Sequence, residues 1–131
     1  TRAFEVLETT GKGLAAWRAE TPPPLVAEAE RVLIAPDRDR LYKRCDLRFD
    51  LMIERGALDE AQAMATLGLD PALPAMRAVG APELFAHLAG EISLEEAALA
   101  AKQATRNYAK RQMTWMRNQM KDWRRIDPFA V

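Results

Sequence analysis

A single cysteine, Cys45, stands among the 131 residues, so neither an internal disulfide nor a cysteine-built zinc cluster can form. That scarcity fits a reducing, cytoplasmic setting. Histidine is as rare: His87 has no Cys, Asp or second His at a ligand spacing and reads as a surface or core residue rather than a metal ligand or base. No apolar run approaches the roughly 20 residues that cross a bilayer. The first residues also lack the apolar segment of a signal peptide, so the expectation is a soluble protein with no membrane partner. A phosphate loop is missing too. Gly11-Lys12 has no glycine five residues earlier, and Gly13 stands where Ser or Thr would be needed. Net charge is zero, from 19 basic and 19 acidic residues, so any strongly charged surface must come from an uneven distribution.

The apolar fraction of 49% suffices for one ordinary domain. The chain opens at Thr1 in a helical pattern without a cap or an initiator methionine, which reads as the middle of something longer. Helical periodicity over 2–8 stops at Thr10-Gly11-Lys12-Gly13, and a shorter helix follows around Leu14 to Arg18. Thr21-Pro22-Pro23-Pro24 is a stiff connector and the best boundary in the chain, dividing it into 1–24 and 25–131. Arg31 to Ala35 forms a short β-branched, apolar run, a strand or a core segment; as a strand it has no obvious sheet partner, and at most one other short strand is expected, near Trp123 to Ile126. Asp37 caps a helix that ends near Arg55, with Leu41, Tyr42, Cys45, Phe49, Met52 and Ile53 on its apolar face. On that helix Asp39, Asp46, Asp50 and Glu54 lie opposite, and Arg44, Arg48 and Arg55 flank the apolar edge. By position alone Arg48 leans over a pocket rim, or else forms a surface ion pair. Further helices are expected from Leu58 to Leu67 and from Pro82 to Leu88, and Ser93 with Glu96 has the form of a capping box that starts a long last helix.

That last helix holds the uneven charge. Residues 100–125 carry eight basic side chains against Asp122 alone, a local charge of +7. At about 100° per residue, Ala109, Met113, Met116, Met120 and Trp123 share one face, with Ala101, Ala104, Tyr108 and Trp115 beside it. Arg106, Lys110, Arg117, Lys121 and Arg124 form a separate row. A cationic row attracts phosphate backbones, and Tyr108 or Trp115 offers a ring for base stacking. The alternative is a solvated helix face with both aromatics in the core, which is where the periodicity puts Trp115.

The order of residues is more informative than the pattern. Thr105-Arg106-Asn107-Tyr108-Ala109-Lys110-Arg111-Gln112-Met113-Thr114-Trp115-Met116-Arg117 resembles the signature TR-x-YAKRQ-x-TW-(F/L)-R of the bacterial tRNA dimethylallyltransferases. Three more blocks follow the same family in order. They are Arg2-Ala3-Phe4-Glu5-Val6 with Thr10-Gly11-Lys12, then Arg40 to Met52 with Gly56-Ala57-Leu58-Asp59-Glu60, then Arg77-Ala78-Val79-Gly80 with Glu83. In the third, Ala81 and Pro82 replace a usual tyrosine and a usual basic residue, removing one aromatic and one cationic contact.

The resemblance implies transfer of a dimethylallyl group from dimethylallyl diphosphate to the exocyclic amine of the adenine 3′ to the anticodon. Arg48 is the implied diphosphate contact. Arg2, Arg77, Gly80, Lys110, Arg111, Gln112, Thr114, Trp115 and Arg117 are the implied contacts to the tRNA anticodon stem-loop. It further implies a mainly α fragment: the end of an inserted helical domain (1–24) and the C-terminal half of an α/β P-loop-type core (25–131). The phosphate loop, general base and Mg2+ ligands would lie elsewhere, so the fragment is expected to be inactive alone and, with half a core, to self-associate. Two other classes match the composition: a non-enzymatic helical RNA-binding module, and a protein-interaction module with an acidic partner.

Overall fold

The computed structural model describes residues 2–20, 22–23, 26 and 28–129. It is mainly α and falls into two units, Thr1–Arg31 and Val32–Val131.

In the first unit α1 (Arg2–Thr10) ends where Gly11 turns left-handed at φ +69°, its N–H reaching back to the Leu7 carbonyl at 2.8 Å. After that turn runs α2 (Leu14–Ala19). Trp17 Nε1 donates to Thr10 Oγ1 at 3.3 Å, the Lys12 ammonium lies 4.4 Å from the Trp17 ring centre, and Lys12 pairs with Glu20. No residue of either helix is buried. Of the proline connector, Thr21 and Pro24 lie outside the described residues.

The second unit holds β1 (Val32–Ile34), α3 (Arg38–Glu54), α4 (Ala57–Ala65), a 3-10 turn (Ala75–Arg77), α5 (Ala81–Leu88), α6 (Leu94–Gln119) and β2 (Arg124–Ile126). Asp37 caps α3 by accepting the Arg40 N–H at 2.9 Å, and Gly56, left-handed at φ +96°, turns the chain straight into α4. Ser93 and Glu96 form the expected capping box on α6. The Ser93 backbone N–H, then the Ser93 hydroxyl, hold the Glu96 carboxyl below the ordinary glutamate range.

The core lies where α3, α4, α5 and α6 meet and is built from Phe49, Ala61, Leu84 and Ala101, with Ile53, Leu58, Phe85, Leu88, Leu94 and Ala98 packed around them. Ala97 and Ala101 are wholly buried, so α6 approaches its neighbours closely. Burying the Phe49 ring contributes about 1.5–3 kcal/mol. Gly80 sits at the same junction with φ +97°; a Cβ there would come within 3.1 Å of Phe49 Cε2. Glycine is therefore required at position 80 by backbone and packing together.

Four expectations need correction. The strand at Val32–Ile34 does have a partner in this chain: it pairs in parallel with β2, Val32 opposite Arg124 and Ile34 opposite Ile126. For the same reason the last helix stops at Gln119, because residues 124–126 are extended against β1; Lys121 and Arg124 therefore do not continue a helical cationic row. On α3 the polar and apolar faces are not simply opposed. Asp46 and Asp50 flank buried Phe49 and turn toward α6, while Leu47 is 59% exposed. The helix expected from Leu58 to Leu67, α4, ends two residues early, at Ala65, with Gly68 left-handed just beyond. No helix among the described residues is long and apolar enough to cross a membrane.

Candidate functional site

The cations of α6 divide according to what lies across from them. Lys102 Nζ is 2.5 Å from Asp50 Oδ1. Arg106 Nη1 donates to both Asp46 oxygens, at 2.8 and 2.7 Å, and its Nη2 donates to Gln103 Oε1 at 2.8 Å. Gln103 in turn donates to Asn107 Oδ1 at 3.0 Å. These residues fasten α6 to α3. Farther along, Lys110, Arg111 and Arg117 are exposed and have no carboxylate partner among the described residues.

Arg111 is the centre of the exposed stretch. With Asn107, Lys110, Thr114, Trp115 and Asn118 it lines one open depression; with Arg77, Ala78, Val79, Gly80, Pro82, Glu83, Ala104 and Asn107 it lines another, where the segment before α5 meets α6. Its guanidinium lies 5.6 Å from the Tyr108 ring centre. Trp115 is 56% exposed and Tyr108 49%, so the core position that periodicity favours for Trp115 is overturned. The reason is that the apolar face of α6 turns toward α3, α5 and the small sheet through Ala97, Ala101, Ala109, Met113 and Met116, leaving the 108/111/115 strip outside it. Rings and guanidiniums placed this way can stack on flat π-systems and neutralise phosphates. Thr114 Oγ1 donates to the Lys110 carbonyl at 2.9 Å, which leaves its lone pairs but not its proton for a ligand.

Arg117 faces elsewhere, and Gln112, which borders a shallow depression with Arg111, Trp115 and Met116, also reaches the far side. They line a cleft of about 270 Å³ between α6 and the sheet, with Leu33, Ile34, Ala35, Pro36, Leu41, Ala109, Met113, Met116 and Arg125. Leu41 also borders a groove of about 450 Å³ along α3, lined by Arg44, Cys45, Leu47, Arg48 and Leu51. Arg48 is exposed at that groove and has no carboxylate partner among the described residues. Two guanidiniums, Arg44 and Arg48, over a mainly apolar groove suit a ligand with an anionic head and an apolar body. Arg2 is exposed on α1, in the first unit.

The model of the family described as IPP transferase matches residues 1–119. The chain belongs to the IPP transferase family. Among curated members it is 61% identical over 127 residues to the tRNA dimethylallyltransferase of Cereibacter sphaeroides (strain ATCC 17025), covering 95% of this chain and 43% of that protein. It is 55% identical over 130 residues to that of Caulobacter sp. (strain K31), covering 98% and 42%. Among solved structures it is similar to the tRNA delta(2)-isopentenylpyrophosphate transferase of Staphylococcus epidermidis, with TM-score 0.73, 32% identity, and coverage of 99% of this chain and 42% of that one. The full-length tRNA isopentenylpyrophosphate transferase of Bacillus halodurans gives TM-score 0.70 and 34% identity over 96% and 37% of the two chains. The chain thus spans 43% or less of the length of each of these relatives.

Within this family frame, sequence reasoning missed Asn107 and Asn118, which flank Arg111 at helical spacing and carry amides into its depression. The signal was available, since Asn107, Arg111, Thr114 and Asn118 recur at i, i+4, i+7 and i+11. It also missed Glu83, one of whose carboxylate oxygens is buried without a hydrogen-bond partner among the described residues. Nothing in the sequence marks that.

Proposed function

We propose that this chain is part of a tRNA-modifying prenyltransferase that moves a dimethylallyl group from dimethylallyl diphosphate to N6 of the adenine 3′-adjacent to the anticodon. The observation that carries this reading is the exposed Tyr108–Arg111–Trp115 strip with Lys110, Asn107 and Arg77 around it, on a helix whose earlier cations are already paired. A target base must leave its stack to be alkylated, and rings with partnerless cations are what an unstacked anticodon loop needs. The tRNA contacts are Lys110, Arg111, Thr114 and Trp115, with Arg77 and the Gly80 backbone beside them, Gln112 and Arg117 at the neighbouring cleft, and Arg2 on α1. Arg48 contacts the diphosphate, stabilising charge as it leaves. The groove and the apolar cleft meet at Leu41, which suits a short prenyl tail between them.

On this reading, residues 1–24 are the end of an inserted helical domain. Residues 25–131 are the C-terminal half of an α/β P-loop-type core, working in the cytoplasm. Mg2+ belongs to the whole enzyme. Its ligands are assigned to the part of the enzyme outside this chain. Apolar side chains such as Leu47, Ile34 and Ile126 are exposed, which supports self-association of the isolated chain; a stable monomer by light scattering at high concentration would contradict that.

The deciding experiment follows label from dimethylallyl diphosphate into tRNA. The isolated chain should transfer none and the full-length protein should. In the latter, Arg48→Ala should impair the prenyl-diphosphate step while leaving tRNA affinity nearly intact. Turnover by the isolated chain, or equal loss of both substrates in Arg48→Ala, would overturn the assignment.

A further inference from the structure

One aromatic residue outside α6 sits against two arginines. Phe129, after β2, lies against the first turns of α3. The guanidinium carbons of Arg40 and Arg44 are 4.9 and 5.0 Å from its ring centre, and Arg40 Nη1 donates to its carbonyl oxygen at 2.6 Å. Its own N–H donates to Asp127 Oδ1 at 2.9 Å, a side-chain-closed turn that aims the residue directly after the strand. The strand is itself fixed, because β2 pairs with β1 and the Ile126 carbonyl accepts the Ala35 N–H at 2.8 Å. A continuous path thus runs from the sheet through Asp127 and Phe129 to Arg44.

Arg44 is one helical turn before Arg48, and both line the same α3 groove. An exposed arginine loses considerable rotamer freedom when it grips a ligand. Holding it beforehand with a carboxylate, as Asp46 holds Arg106, would restrict it but also cancel its charge. A ring restricts it and leaves the charge for something else.

We propose that Phe129 is a positioning residue that holds Arg44 beside Arg48, so that the diphosphate is gripped by two guanidiniums rather than one. The proposal rests on the assignment of Arg48 to the diphosphate. A ligand with several negative charges and two phosphoryl groups matches two forked donors one turn apart better than a single one. Arg40, which anchors the Phe129 backbone, completes the row without lining the groove.

The test is pyrophosphate binding to the full-length enzyme by calorimetry, together with KM and kcat for dimethylallyl diphosphate and KM for tRNA. Arg44→Ala should weaken pyrophosphate roughly 10- to 100-fold, as expected for loss of a charge-assisted hydrogen bond. Phe129→Leu should weaken it by about 2- to 5-fold, raise KM for the diphosphate and leave KM for tRNA unchanged, while Phe129→Trp restores binding. Added to Arg44→Ala, Phe129→Leu should cost nothing more, because its effect passes through Arg44. Wild-type pyrophosphate affinity in Phe129→Leu, or additivity in the double variant, overturns the proposal. Should Phe129→Leu fold poorly, Arg44→Lys keeps the charge and loses the planar stacking, and wild-type affinity there overturns it equally. Arg48→Ala separates the two levels. If Arg48→Ala abolishes pyrophosphate binding and Phe129→Leu does not weaken it, only the positioning role fails; if Arg48→Ala binds as wild type, the diphosphate assignment fails with it.

Discussion

In the first half of α6, Lys102 and Arg106 face Asp50 and Asp46 of α3; in the second half, Lys110, Arg111 and Arg117 face no carboxylate among the described residues. The residue types are the same, lysine and arginine on one helix. What differs is the neighbour. Where α6 crosses α3 its cations become fasteners, and beyond that crossing they remain available to a polyanion. A charge count along a helix therefore overstates a binding surface by the number of charges its packing partner answers.

The largest expected effect breaks the fastened half. Phe49→Ala removes the ring that Gly80 and Ala101 pack against and should cost about 3–5 kcal/mol in urea unfolding, with RNA affinity retained in the molecules that stay folded. Trp115→Leu probes the other half. It should weaken tRNA binding by about 1–3 kcal/mol and leave the melting temperature almost unchanged; a large fall in melting temperature would return Trp115 to the core. The comparison is sharpest in a matched pair. Arg106→Ala should lower stability by about 1–2 kcal/mol without altering the salt dependence of tRNA binding, whereas Lys110→Ala or Arg111→Ala should reduce the salt slope by about 0.7–0.9 per contact removed without altering stability. Identical salt slopes for Arg106→Ala and Lys110→Ala would erase the distinction between the halves.

The smallest effect is at the beginning of the helix. Because Ser93 depresses the Glu96 carboxyl in the folded state, its stabilisation is present above the unfolded glutamate value and is lost as pH falls through the folded one. Acid titration of stability should show that loss in the wild type and a weaker pH dependence in Glu96→Gln.

Much of this was legible in the sequence because the signals are local. Asp37, Gly56, Pro82 and the Ser93/Glu96 pair each mark a helix end through contacts within four residues, and all lie at or beside observed boundaries. The family signature was equally local, a contiguous run on α6. What was not legible depends on distant neighbours. A short strand near Trp123 to Ile126 was legible, but not that it pairs with Val32 to Ile34 and takes Arg124 out of the helical row. Trp115 fits an apolar face until the crossing with α3 shows which way that face turns. Asp46 and Asp50 look like solvent-facing acids until Arg106 and Lys102 are brought across from more than fifty residues away. Spacing put Arg44 and Arg48 at the apolar edge of α3 and Arg48 at a pocket rim, but the contact that restrains Arg44 comes from Phe129, which no helical periodicity could connect to it.

The parallel pairing of β1 with β2 also sets an order of events during synthesis. Helix pairs α4/α5 and α5/α6 are close in sequence and can pack as soon as they emerge, but Val32 must wait for a partner roughly ninety residues later. Until then the edge of β1 that β2 covers lacks that partner, the condition under which nascent chains pair with one another. That edge is therefore open to mispairing in the interval between translation of Ile34 and of Ile126, after the helices between them have formed and before β2 arrives.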